Sequence, residues 1–104
     1  MYNYEKYYNE KGQVAVLYSP GYGAGWYSWE QKEGMLFDKD IVQAVLDDDL
    51  HRAAKIAEER YQAHSSGARN LKIWWMKPGT QFEINEYDGF EYINYAEEQK
   101  WITA

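Results

Sequence analysis

The residues Ser19-Pro20-Gly21-Tyr22-Gly23-Ala24-Gly25-Trp26-Tyr27-Ser28-Trp29 form the stretch whose types and spacing bear most directly on chemistry. Three glycines at alternate positions suit unusual dihedrals or the close approach of another group to the main chain. Amides left free where a strand passes into a helical turn can receive an anion. Trp26, Tyr27 and Trp29 could stack on a base, and Arg69, from a second glycine-containing loop, could neutralise a phosphate. Amides, rings and an arginine are what a nucleotide pocket needs, and the candidate ligand-binding residues are Ser19, Gly21, Tyr22, Gly23, Gly25, Trp26, Trp29 and Arg69. A tight turn whose tryptophans fill the core fits the same spacing, and both readings stay open at this point.

The glycine pattern is neither the dinucleotide fingerprint nor a Walker loop ending in Gly-Lys-Ser or Gly-Lys-Thr. Nothing else in the chain argues positively for catalysis. His51 and His64 match no zinc-protease spacing; Ser19, Ser28, Ser65 and Ser66 lack a nucleophile elbow. The triplet Asp47-Asp48-Asp49 is explained by helix capping and solvation, because carboxylates are favoured at the amino end of a helix. The expectation is therefore a protein that is not an enzyme, with no catalytic residue, no metal ligand and no cofactor.

Composition narrows the partners. The net charge of -6 argues against a DNA or RNA polymer, whose affinity comes mainly from Lys and Arg on phosphates, while leaving room for a small anion held by local groups. With 11 Tyr and 5 Trp among 104 residues, some rings are expected at the surface, where they favour recognition or self-association. The absence of cysteine rules out a disulfide framework and Cys-based zinc. No apolar run approaches the roughly 20 residues of a membrane span, and the start of the chain lacks a signal-peptide hydrophobic region, which leads to the expectation of a cytoplasmic protein.

The elements that must position the loop follow from periodicity. Residues 1–12 are a Tyr-rich extension, ordered only if its tyrosines dock, and residues 13–104 are a single domain. Gln13–Tyr18 is apolar on both faces, hence a strand covered on both sides. Trp26–Trp29 suits a helical turn. Asp38 is the expected N-cap of a helix through Ile41, Val42, Val45 and Leu46; Asp48 or Asp49 caps a second, with Leu50, Ala53, Ala54, Ile56, Ala57 and Tyr61 as its apolar stripe. Leu71–Lys77 is a strand with Leu71, Ile73 and Trp75 on one face and Lys72, Trp74 and Met76 on the other.

Asp88-Gly89 between two β-rich runs predicts a two-residue hairpin pairing Tyr87 with Phe90, Asn85 with Tyr92, Ile84 with Ile93, Glu83 with Asn94 and Phe82 with Tyr95. Glu86 then opposes Glu91 on the core face, an unfavourable pairing unless it lies at an exposed tip or a basic group intervenes. Trp101 is expected to close the core or a subunit contact. The expected fold class is α+β (or α/β): a small mixed sheet of about four strands, a C-terminal antiparallel meander, and two helices packed on one face.

The segments Val14–Trp26, Met35–Asp38, Gly67–Leu71, Pro78–Phe82 and Asn85–Gly89 together resemble a widespread family of small phage proteins, a resemblance that covers nearly the whole chain after Gln13. That pattern is identified with the viral nucleotide sponges, which oppose bacterial CBASS immunity by sequestering its cyclic-oligonucleotide signals. The resemblance implies a non-enzymatic, oligomeric binder, expected to be a homo-tetramer, of a cyclic dinucleotide such as 3'3'-cGAMP, in the cytoplasm of the infected host. It carries no ligand contacts over. The alternatives are an acidic phage inhibitor that binds a host protein directly and a hydrolase of the nucleotide signal.

Overall fold

A computed structural model describes residues 3–21, 25–63 and 65–95, with the backbone alone at Trp29, Ser65 and Ser66. Tyr22, Gly23, Ala24, His64 and Trp101 lie outside the described residues. The chain runs β1 (Val14–Tyr18), α1 (Tyr27–Glu30), α2 (Gly34–Phe37), α3 (Lys39–Leu46), α4 (Leu50–Tyr61), a 3-10 segment (Ser65–Asn70), β2 (Lys72–Met76), β3 (Phe82–Tyr87) and β4 (Phe90–Tyr95). The fold class is α+β.

The helix boundaries follow from their caps. The Asp38 carboxylate accepts from the Asp40 amide and starts α3. Asp49, the last of the acidic triplet, accepts from the Arg52 amide and starts α4. Asp47 pairs with the Arg52 guanidinium, and Asp48 takes the left-handed conformation that reverses the chain between the helices (φ 55). Each aspartate of the triplet thus has a structural task at a helix end.

β1 and β2 pair antiparallel, Val14 with Met76 through Tyr18 with Lys72. One face of this ribbon carries Ala15, Leu17, Ile73 and Trp75 into a core with Trp26, Met35, Ile41, Val42, Ala53 and Ala57. The other face sets Val14, Val16 and Met76 against Leu36 and Phe37, with Phe82, Ile84, Ile93 and Tyr95 closing over them. β1 is accordingly apolar on both faces because it is buried on both, under the helices on one side and under the β3–β4 hairpin on the other.

The hairpin has the register its Asp-Gly turn predicts, from Tyr87 with Phe90 to Phe82 with Tyr95. Asp88 (φ 52) and Gly89 (φ 87) supply the two positive φ values of a primed turn. One expectation differs from the structure: in place of one sheet of about four strands with a C-terminal meander, the described strands form two antiparallel pairs, β1–β2 and β3–β4. The reason lies in what had to be covered. Residues 39–61 supply one helical layer, which buries one face of β1. After the turn at Pro78-Gly79, where Lys77 accepts from the Thr80 amide (3.1 Å), the chain lays its hairpin across the second face.

Residues 3–12 run along the body. Tyr4 stacks on Phe37 with ring centroids 6.3 Å apart, Tyr7 meets Trp75 at 6.0 Å, and the Ala15 amide donates to the Tyr7 carbonyl.

Candidate functional site

The glycine loop is tied to the hairpin by one side chain. Glu91, on β4, is fully buried (0 %). One of its carboxylate oxygens accepts from the Ser19 amide (2.9 Å); the other accepts from the Trp26 amide (2.9 Å), the Ser28 amide (2.7 Å) and the Ser28 hydroxyl (2.8 Å). In return the Glu91 amide donates to the Ser19 carbonyl. All four groups facing the carboxylate are donors, two of them main-chain amides at the start of α1, which its own N-cap residue Trp26 leaves uncapped. The described amides flanking the loop do receive an anion, and that anion is the protein's own.

This arrangement also resolves the opposed carboxylates. Glu86 and Glu91 are register partners, yet neither sequence-based solution holds. Glu91 turns inward to the amides, and Glu86 accepts from the Gly89 amide across the turn (2.8 Å), so each carboxylate has its own donors. Sequence reasoning did not single out Glu91 as a site residue. The available signal was an acid on the core face of a strand with no basic residue in register.

The glycines serve close approach. A Cβ at Gly21 would stand 2.1 Å from the Asn70 side-chain nitrogen, and one at Gly67 would stand 2.0 Å from the Gly25 carbonyl oxygen. Both ends of the glycine loop therefore dock on the segment that carries Arg69. The fold has brought together the two loops that sequence spacing could only pair by chemistry.

The candidate residues fall into distinct environments. Ser19 is buried, and its hydroxyl has no partner among the described residues. Trp26 is 1 % exposed, with its indole N–H donating to the Met35 carbonyl (2.7 Å), so its ring belongs to the core and offers no face to a ligand. Gly25 is the backbone against which Gly67 rests. Tyr22 and Gly23 lie outside the described residues, as does the Trp29 side chain. Gly21 and Arg69 share a cleft of about 320 Å³, with Pro20, Asp48, Asn70 and Lys72 around them.

Arg69 also lines a second cleft, of about 580 Å³, together with His51, Lys55 and Glu58 of α4. Its guanidinium has no hydrogen-bond or ion-pair partner among the described residues. The arginines of α4 differ: Arg52 pairs with Asp47 and Asp49, and Arg60 with Asp38 and Asp40. In a chain with 17 acids and 11 bases, an unpaired arginine is the group to expect where an anion is to be taken from solvent.

A third cleft, of about 690 Å³, is lined by Tyr4, Gln31, Glu33, Arg60, Tyr61 and Gln62. Much of its polar chemistry is already spent within the protein. Arg60 and the Tyr61 hydroxyl bind the buried Asp38 carboxylate, and Lys32 donates to the Tyr61 carbonyl. Burial, followed by a hydrogen bond to Glu33, raises the Tyr4 phenol to about 12. Among the described residues no group of three His, Asp or Glu is placed to hold a metal ion.

Fold and site together describe an α+β domain with a helical layer, a central ribbon and a covering hairpin, and with Arg69, unpaired among the described residues, lining two clefts beside the glycine loop whose ends Glu91 holds. No known protein family, characterised protein or solved structure matches the chain. No helix among the described residues is long and apolar enough to cross a membrane.

Proposed function

We propose that the protein is a non-enzymatic binder of a phosphate-bearing nucleotide, and that it sequesters a cyclic dinucleotide immune signal such as 3'3'-cGAMP in the cytoplasm of a phage-infected bacterium, blocking activation of CBASS effectors. One observation carries this reading: Arg69, unpaired among the described residues, faces the same cleft as Gly21 of the glycine loop. Lys72 adds a second cation to that cleft, and Asn70 and Asp48 add polar groups that could meet a base or a ribose. The acidic balance elsewhere would discourage polymeric nucleic acid while a local arginine retains a small ligand. Ligand retention needs tight ground-state binding, which rests on such contacts without a nucleophile or an acid-base pair.

This reading moves the ligand relative to the sequence expectation. The Ser19, Trp26 and Ser28 amides are occupied by Glu91, so the phosphate would sit against the outer side of the loop, at Pro20-Gly21 and Arg69. Base stacking would fall to rings other than Trp26. We propose further that the protein self-associates as a homo-tetramer, supported by the exposure of Tyr87 (72 %) and Tyr92 (42 %) on the outer face of the hairpin. The same exposed rings favour a second reading, an acidic inhibitor that binds a host protein.

Calorimetric titration of the purified protein with cyclic di- and trinucleotides tests the proposal. The expected result is saturable heat with at least one cyclic dinucleotide, lost in Arg69→Gln, and recovery of intact nucleotide on heating the complex. Recovery of a cleaved product would establish the hydrolase alternative. No heat and no thermal shift across the panel would overturn the proposal, and capture of one host protein by a variant lacking Arg69 would favour the inhibitor.

A further inference from the structure

Arg69 stands between two clefts that also share Leu50. On the side of the glycine loop its companions are Gly21, Asn70 and Lys72, with Asp48 as the one acid. On the other side α4 contributes His51 and Lys55, one helical turn apart, with Glu58 as the one acid. Leu50 and Ala54, both packed against the core, and the buried Ala68 provide apolar surface between these polar groups.

Like Arg69, the side chains of His51, Lys55 and Lys72 have no ion-pair or hydrogen-bond partner among the described residues. Each lobe therefore adds one lysine to the shared arginine, Lys72 beside Asp48 in the first and Lys55 beside Glu58 and His51 in the second, on a chain whose net charge is -6. Clustering unpaired cations against one another is unfavourable by itself, and an anion that bridges them offsets that repulsion. A mononucleotide has one phosphate group and fills one lobe. A ligand with two phosphates separated by sugars engages both.

We infer that His51 and Lys55 form a second phosphate subsite, which shares Arg69 with the Gly21–Lys72 lobe, and that the site therefore selects nucleotides carrying two separated phosphates over mononucleotides. This rests on the nucleotide-binding reading above and deepens it by naming the side of the ligand that α4 holds. Arg69 contributes to both lobes, Lys72 to the first alone, and His51 and Lys55 to the second alone. Apolar Leu50 and Ala54 lie under the part of the ligand between the phosphates.

The experiment compares the wild-type chain with Lys55→Gln, His51→Gln with Lys55→Gln, Lys72→Gln and Arg69→Gln, each titrated with 3'3'-cGAMP and with 5'-GMP. Lys77→Gln, which removes a lysine charge outside both clefts, is the control. These side chains are solvent-facing, and circular dichroism melts within about 2 °C of wild type verify the fold. Losing a charge-assisted phosphate contact corresponds to a tenfold to hundredfold change in Kd, from about 1.5–3 kcal/mol per such bond.

The expected result is that the His51/Lys55 variants lose tenfold or more affinity for 3'3'-cGAMP, with less than a twofold change for 5'-GMP, while Arg69→Gln weakens both. Equal weakening for both ligands, or an effect matched by Lys77→Gln, overturns the second subsite, because general electrostatics would then account for it. Unchanged 3'3'-cGAMP binding in the His51/Lys55 variants beside its loss in Arg69→Gln also overturns the subsite and leaves the proposed function standing. If the wild-type chain binds neither ligand, the proposed function falls and takes this inference with it.

Discussion

Replacing Glu91 by Gln keeps the volume of the side chain and tests the clamp directly. The carboxylate accepts four hydrogen bonds, one at the oxygen facing Ser19 and three at the oxygen facing Trp26 and Ser28. A carboxamide has one acceptor oxygen, which would stay with the three donors and turn its NH2 toward the Ser19 amide. One charge-assisted bond is lost, worth about 1.5–3 kcal/mol, and the buried Ser19 amide is left facing another donor, at about 1–3 kcal/mol. Local relaxation recovers part of this, so the expected loss is about 3 kcal/mol. For a domain of this size that is a fall in Tm of about 12–24 °C. Glu91→Ala orphans all four donors and approaches the whole stability of a small domain, about 5–15 kcal/mol. Glu86→Gln, at the paired position with one bond to the Gly89 amide, is the matched control and should cost less than about 1 kcal/mol. The assay is urea denaturation followed by tryptophan fluorescence, with amide hydrogen exchange at Ser19, Trp26 and Ser28. If Glu91→Gln melts within 2 °C of wild type, or if Glu86→Gln costs as much, the clamp does not hold the loop and the reasoning fails.

Gly67→Ala places a methyl group 2.0 Å from the Gly25 carbonyl oxygen, and because the obstacle is main chain the loop itself must move. A loss of about 3 kcal/mol is expected, read by denaturant midpoint, together with weakened nucleotide retention. At Gly34 the added methyl meets the Tyr61 ring at 2.4–2.5 Å, and moving that ring breaks its 2.6 Å bond to Asp38; a loss of about 2 kcal/mol is expected in the same assay, and less in a Tyr61→Phe background. Tyr4 gives a pH signature. Its phenol is raised from 10.0 to about 12 in the folded state, so the unfolded chain releases that proton first, and the associated stability is complete below pH 10 and lost between 10 and about 12. Absorbance titration of phenolate should show a late-titrating component that falls by one tyrosine in Tyr4→Phe, and the variant should be less sensitive to alkaline unfolding over that interval.

The parts of the fold that were legible in the sequence are those whose signals are local. Asp88-Gly89 sets a two-residue turn, and a two-residue turn sets every pair of the hairpin, so one dipeptide decided the register from Tyr87–Phe90 to Phe82–Tyr95. Asp38 and Asp49 announce helix starts because a short acceptor side chain reaches an amide two or three residues on. How strands associate was less legible. Periodicity tells which side chains share a face and is silent on whether another strand joins an edge or lies across a face. The apolarity of Val14–Tyr18 on both sides nonetheless demanded two covering layers, and a single helical layer within residues 39–61 left the hairpin as the second.

The site shows the same division between local and distant signals. The close approach that alternate glycines suggest is present at Gly21, yet the group that approaches, Asn70, is about 50 residues away, and at Gly25 the residue that needs to be glycine is its neighbour in space, Gly67, about 40 residues on. Glu91 was legible only as a misfit, an acid on a core face, because its partners are main-chain amides that any residue carries, 63 to 72 positions earlier. That misfit and the glycine loop were one feature seen from two ends. An acid buried without a basic partner requires donors, and the amides at Ser19, Trp26 and Ser28 on either side of the loop require an acceptor, so each anomaly supplies what the other lacks. The consequence for function is geometric: with the Ser19, Trp26 and Ser28 amides held by Glu91, the two ends of the loop are anchored, and among the described residues Pro20 and Gly21 form the wall it contributes to the cleft that Arg69 lines.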